Sequence, residues 1–299
     1  MKFMGSDRNF LAIEEEYSAI DTSQIVILPA PYEHTVSYGK GASLGPDEII
    51  KASAFVEFYD DEFERELCFE KGIATLEPLE FNDLVDQDAL DLIEKNVSKL
   101  LDINKFVVTL GGEHTISSAP ISSHYKKYPD MSLLHFDAHS DLRDSYEGTK
   151  YSHASVMARV CEFFPADRIV QVGIRAQCRE EAEFIKENNI RTYYASSIRR
   201  KKHGENWQKE IASNLGDTIY ISFDVDYFDP SIIPATGTPE PDGFLYSETL
   251  DVFRELIKAK KRIIGFDVVE LSKIDNLSHP SLTTARLIYK MLNFAFYGL

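Results

Sequence analysis

The segment DAHSD sets Asp137, His139 and Asp141 at alternate positions, so an extended backbone would aim all three side chains the same way. Asp224 and Asp226, in DVD, repeat that spacing, and His114, in GGEHT, adds a second imidazole. The set is four carboxylates and two imidazoles, with no thiolate. Four crowded carboxylates repel and take up protons unless cations neutralise them, and two divalent ions balance their charge. Six ligands are few for two metals, so bridging carboxylates and a bridging solvent are expected, with the ions ~3.5–4 Å apart. Solvent held between two cations loses its proton far more readily than bulk water, which supplies hydroxide near neutral pH. Hard oxygen ligands with some nitrogen suit Mn²⁺, with Co²⁺, Ni²⁺, Zn²⁺ and Fe²⁺ also compatible. Alone, DVD is usually a cap or turn and GGEHT a glycine turn entering a helix. Their joint occurrence with DAHSD selects the metal reading.

These motifs need elements that bring them together. Apolar, β-branched runs recur as QIVILPA from Gln24, KFVVTL from Lys105, SLLHFD from Ser132, RIVQVGI from Arg168, TIYISFD from Thr218 and RIIGFDV from Arg262. Weaker ones are GIATL from Gly72 and IRTYYA from Ile190. Such runs alternating with helical patterns predict a mainly parallel sheet of about eight strands covered by helices on both faces, a three-layer α/β/α arrangement. Gly45-Pro46 opens one helix, and Ser281 or Thr283 opens a closing helix through Leu292. With no linker or repeat, residues 1–299 read as one domain. GGEHT, DAHSD, DVD and DVVE each follow a strand, and ligands of open α/β sheets bind outside the carboxyl ends of strands. Four such clusters would converge on one crevice.

Composition narrows the partners. The 299 residues are 43% hydrophobic and 27% charged, with a formal net charge of -17. That charge argues against nucleic acid and anionic membrane surfaces and favours a small cation. The three cysteines, Cys68, Cys161 and Cys178, form no CxxC pair, and the amino terminus carries acids where a signal peptide needs an apolar run. A cytoplasmic protein is expected.

At GGEHT, FDAHSD, SFDVDYFDPSIIPATGTPEPDGF and DVVEL the sequence resembles the ureohydrolases, the family of arginase, agmatinase and their relatives, and PYEHTVSYGKGASLGPDEI resembles that family's first active-site loop. The resemblance implies an arginase-like fold and two manganese ions. It assigns His114, Asp137, Asp141 and Asp224 to one ion and Asp137, His139, Asp224 and Asp226 to the other. It makes His153, in YSHAS, the mobile proton-transfer histidine and Glu270 the partner of the substrate guanidinium. It also implies a homo-oligomer, a trimer or hexamer. Glu113 departs from the aspartate of GGDH found in many members. The chemistry fits: a guanidinium is planar, always charged and a poor electrophile, and a bidentate carboxylate would fix its carbon before a hydroxide.

Other residues read more plainly. His135 reads as a satisfied core histidine, His124 and His203 as solvated, and the acidic run EFYDDEFERE from Glu57 as a solvated face. His34 and His279 lie on loops. Within ATGT, Thr238 is taken as a substrate contact, although the segment also suits a turn. The interval LRDSYEGTKYS lacks the Asn- and Ser-rich loop of arginases, and the aspartate arginases use for the α-amino group is replaced around Cys178. Both point to agmatine or an aminopropyl-extended agmatine on a route to polyamines. Alternatives are arginase, guanidinobutyrase, formiminoglutamase or a non-catalytic relative. A dinuclear phosphatase would need GNH[DE] and GHxH, which are absent, and a single-zinc deacetylase has no use for His114 and Asp141.

Overall fold

All eight apolar runs form strands in the computed structural model, which describes residues 1–298. They are β1 (Ile25–Ala30), β2 (Ile73–Thr75), β3 (Phe106–Gly111), β4 (Ser132–Phe136), β5 (Ile169–Val172), β6 (Arg191–Tyr193), β7 (Thr218–Asp224) and β8 (Arg262–Val269). They pair in the order β2-β1-β3-β8-β7-β4-β5-β6, every neighbour parallel. The principal helices are α1 (Gly45–Ser53), α2 (Asp86–Asp102), α3 (Ser118–Lys127), α4 (Arg179–Glu187), α5 (Trp207–Ser213), α6 (Tyr246–Lys258) and α7 (His279–Tyr297).

Strand alternation divides the core between two faces. Ile25 and Ile27, with Phe136, Phe223 and Phe266, pack against α1, α5, α6 and α7. Val26, Leu28 and Val107 face α2, whose Leu90, Ile93, Val97 and Leu101 recur at helical spacing. Leu133, Ile169 and Tyr220 complete that second face, beside Ile121 of α3 and Ile185 of α4. The result is the expected three-layer α/β/α fold. Among the described residues, no helix is long and apolar enough to cross a membrane.

Three local expectations are corrected. The closing helix starts at His279, with Pro280 in its first turn, and continues to Tyr297. His124 is fully buried rather than solvated: its ring lies 4.5 Å from that of Tyr220, and its Nδ1 bonds the Pro120 carbonyl. Gly265 makes room for it, since a Cβ there would sit 2.3 Å from Nε2. The acidic run is only partly a solvated face. Asp60 is buried, and Lys290 of α7 donates to both its oxygens at 2.7 and 2.9 Å, while Glu62 pairs with Arg254 and Lys290. Nothing local to that run announces a partner 230 residues away.

Candidate metal centre and active-site cavity

Strands β3, β8, β7 and β4 are consecutive in the sheet, so the residues at their carboxyl ends become neighbours. His114 follows β3, Glu270 follows β8, Asp224 ends β7 and Asp137 follows β4. The turn after β3 depends on glycine: a Cβ on Gly112 would sit 2.0 Å from the Tyr32 carbonyl oxygen, and Glu113 N–H donates to that oxygen at 2.9 Å. Glu270 N–H in turn donates to the Gly112 carbonyl at 2.8 Å, tying the two strand ends together. Asp141 (φ 54°) and Glu270 (φ 66°) occupy the left-handed region, a strained setting for non-glycine residues. Alternation alone therefore does not bring Asp141 to the cluster; a left-handed turn does. Asp226 likewise sits in the turn Val225–Tyr227 rather than on the strand, with its N–H donating to Asp224 Oδ1 at 2.8 Å.

The six expected ligands come together. His114 Nδ1 lies 3.1 Å from Asp137 Oδ2, 3.0 Å from Asp141 Oδ2 and 3.3 Å from Asp224 Oδ2. Despite that proximity Nδ1 is buried without a hydrogen-bond partner. Donor atoms about 3 Å apart are the spacing of adjacent ligands around an octahedral divalent cation held at roughly 2.1 Å. Beside them, Asp137, His139 and Asp226 form a second group, with His139 Nδ1 2.8 Å from Asp226 Oδ2 and 3.6 Å from Asp137 Oδ1. Burial and the charges of Asp226 and Asp137 push Asp224 well above the usual carboxylate range. Burial also works to raise Asp137, but the imidazoles of His135, His114 and His139 outweigh it and hold Asp137 well below that range. Such a set suits cations better than protons, so the residues present fit a metal pair.

The supporting groups are specific. His114 Nε2 lies 3.0 Å from Ser222 Oγ, which donates to Asp267, and this buried carboxylate also accepts from Ser117 and Tyr220. His135 is the satisfied core histidine expected of it, with a further task. Its Nδ1 accepts from Gln171 Nε2 at 3.1 Å, so its Nε2–H donates to Asp137 Oδ2 at 2.8 Å. Both ring nitrogens are occupied, which excludes His135 as a ligand while orienting one.

Above the cluster opens a cavity of about 480 Å³. His114, His139, Asp141, Asp224, Asp226, Glu270, His153 and Thr238 all line it, and Asp137 lies buried beneath. Glu270 Oε1 accepts the His114 N–H at 2.6 Å, and burial, with the charge of Glu113, pushes this carboxyl up to about 8. Gly237 bonds back to back with Gly39, so ATGT both shapes the turn and presents Thr238. His34 and His279 are exposed, and neither lines the cavity.

Several residues escaped sequence reading. Thr35 and Ser37 flank the His153 ring, at 3.2 Å from Nδ1 and 3.4 Å from Nε2. Glu181 is buried and holds Ser140, Leu142 and Cys178. Arg175 directs its guanidinium at the backbone carbonyls of Gly173, Asp226, Tyr227, Phe228, Glu240 and Pro241. No local signal marks these.

Comparison with known proteins agrees with this geometry. A family model described as "Arginase family" matches residues 23–293. The N(1)-aminopropylagmatine ureohydrolase of Synechocystis sp. is 35% identical, over 98% of this chain and 95% of its own. The agmatinase of Bacillus cereus is 34% identical, over 93% of this chain and 94% of its own. The crystal structure of the agmatine ureohydrolase of Thermoplasma volcanium superposes with a TM-score of 0.80 at 29% identity, covering 100% of this chain and 94% of that one.

Proposed function

This chain belongs to the arginase family of ureohydrolases, and on that premise we propose that it cleaves the guanidinium group of agmatine, or of an aminopropyl-extended agmatine, to urea and a polyamine. One observation carries the reading: a single cavity joins a six-ligand cluster, Glu270 and His153, and its lining carries six acids against two arginines, Arg143 and Arg175. Arg175 is committed to backbone carbonyls, as described above. Arg143 lies 3.9 Å from Glu181 and 5.1 Å from the centre of the Tyr146 ring. The cavity is therefore built for a cation.

In this reading His114, Asp137, Asp141 and Asp224 would hold one Mn²⁺, and His139 and Asp226, with Asp137 and Asp224, would hold the other. When bound, the two cations supply concentrated positive charge and lower the pKa of water enough for nucleophilic chemistry near neutral pH. Glu270 receives the guanidinium. Its anchored Oε1 fixes the carboxylate relative to His114, so pairing places the guanidinium carbon beside the cluster. A buried carboxylate without a cation is unfavourable, and a guanidinium that never deprotonates is the partner that relieves it. His153, on the cavity wall, delivers the proton that the departing amine needs. Thr238 offers a hydroxyl to the substrate from the opposite loop. Residues 1–299 act as one such unit, and three free cysteines suit a reducing cytoplasm.

A carboxylate on the substrate is disfavoured. Bringing one into an acid-lined cavity costs Coulomb energy unless a free donor meets it, and Arg143 already faces Glu181 and Tyr146. At the position where arginases have their aspartate, Cys178 caps α4. Urea release with added manganese, measured for agmatine, N(1)-aminopropylagmatine, arginine and guanidinobutyrate, tests the reading. Either amine should exceed arginine and guanidinobutyrate by a wide margin in kcat/KM. Equal or faster turnover of arginine rejects the substrate assignment.

A further inference from the structure

The loop from Pro31 to Gly41 is tied to the turn after β3 by one buried carboxylate. Glu113 Oε2 accepts the N–H of His34 at 2.8 Å and of Thr35 at 2.6 Å. Glu113 Oε1 accepts the hydroxyls of Thr35 at 2.9 Å and Thr115 at 2.7 Å. Four donors fill both oxygens, so Glu113 acts only as an acceptor. The single proton of the Thr35 hydroxyl goes to this carboxylate, the stronger acceptor within reach. Thr35 Oγ1 can then only accept from His153, whose backbone N–H lies 3.1 Å away and whose ring Nδ1 lies 3.2 Å away.

We propose that Glu113 and Thr35 are positioning residues that lock His153 in the Nδ1–H tautomer, so that its exchangeable proton sits at Nε2. The inference rests on His153 being the proton donor of the proposed reaction. Nε2 is the nitrogen beside Ser37, which lines the cavity, and the ring is steadied further by the edge-on Tyr146, 5.9 Å between centres. In the charged ring both nitrogens carry protons, but Nδ1–H stays on Thr35 and only Nε2–H is free to leave. In the neutral ring the lone pair at Nε2 faces the cavity, ready for the next proton. The opposite tautomer could not pair with Thr35 Oγ1, which has no second proton to give, and would be left with Ser152 Oγ, farther from Nδ1 at 3.5 Å against 3.2 Å for Thr35. The same Glu113 that precedes the ligand His114 thus sets the direction in which His153 gives up its proton. This gives the glutamate of GGEHT a role through its reach across to Thr35.

Three variants test this: Thr35→Val, which keeps the shape and removes the hydroxyl, Thr35→Ser, which keeps the hydroxyl, and His153→Ala. The tautomer is read by ¹⁵N NMR of histidine-labelled protein loaded with diamagnetic zinc, with the His153 signals identified by their loss in His153→Ala. Kinetics are measured on the manganese-loaded enzyme. The wild type should show the Nδ1–H tautomer, and Thr35→Val should shift His153 toward Nε2–H. Thr35→Val should also lower kcat on the order of tenfold to a hundredfold, the worth of one hydrogen bond to a charged group, with KM little changed. Thr35→Ser should restore both the tautomer and the rate. An Nε2–H tautomer in the wild type, or one unmoved by Thr35→Val, overturns the inference. A tautomer that shifts while kcat stays level, with His153→Ala still impaired, overturns its catalytic half; a His153→Ala that also keeps its rate places the fault instead in the role given to His153.

Discussion

Replacing Asp224 by asparagine should move stability in opposite directions with and without metal. The side chain has two tasks in the structure: Oδ1 caps the Asp226 N–H, and Oδ2 faces His114 Nδ1 at 3.3 Å. Asparagine keeps an oxygen for the cap and removes the charge. Asp137 Oδ2 lies 3.1 Å from the same Nδ1, so the two carboxylates sit roughly 6 Å apart or less and repel by about 3 kcal/mol at an effective dielectric of about 20. Proton uptake relieves part of this, so Asp224→Asn should gain only part of that repulsion in metal-free protein, a rise of a few degrees in Tm. Metal reverses the balance. Each occupied site adds about 2.7 kcal/mol at a hundredfold excess of cation over its Kd, and a shared ligand removed weakens both sites. Thermal melts of both proteins at pH 8, in chelator and in excess manganese, read the two effects. Asp224→Asn should melt higher than wild type in chelator and lower in manganese. An equal gain from manganese in both proteins, or a lower Tm for the variant in chelator, would show Asp224 to be a structural cap and refute the reasoning.

His153→Ala should lower kcat roughly 10²–10⁴-fold with KM nearly unchanged in steady-state urea assays, and a raised KM at unchanged kcat would make it a binding residue. Glu270→Gln retains an acceptor for the His114 N–H but not the charge, so kcat/KM should fall on the order of a hundredfold while metal content, measured by elemental analysis, holds. Arg143→Ala should spare agmatine turnover, since that side chain faces Glu181 and Tyr146; a large loss would make it a substrate contact. Burial pushes His124 down to about 4 from its ordinary 6.5, so the unfolded chain binds the extra proton between those values and stability is lost as the pH drops through that window. The loss is about 3 kcal/mol in all, so urea melts at pH 7 and pH 4.5 should differ less for His124→Gln than for wild type. Gly265→Ala, which drives a Cβ into that imidazole, should destabilise by about 1–3 kcal/mol at neutral pH in the same assay.

The sheet was legible because its central strands are near-continuous apolar runs, as a parallel sheet covered on both faces requires, whereas the edge strand β6, Arg191–Tyr193, carries a weaker signal. The candidate ligand cluster was legible because carboxylates and imidazoles at the ends of strands have few uses together. What the sequence did not disclose is mostly non-local. Thr35 and Glu113 are 78 residues apart, and Asp60 and Lys290 are 230 apart, so no spacing rule links either pair. His124 looked solvated because lysines follow it, yet its face of α3 packs on Tyr220 and over Gly265. Helix α7 begins earlier than its apolar pattern because Pro280 favours the first turn, a backbone preference that outweighs the exposure of His279. The alternation in DAHSD does not by itself account for Asp141, which reaches the cluster through a left-handed turn.

The central claim is a two-cation site that cleaves a carboxylate-free guanidino compound. Its most direct test is a titration of chelator-treated protein with manganese, following urea release from agmatine and N(1)-aminopropylagmatine together with bound metal per chain. Activity on one of these amines should be absent at the start and should rise to a plateau at two manganese ions per chain. Full activity in the chelated protein, or a plateau at one ion with no further gain, would contradict the account.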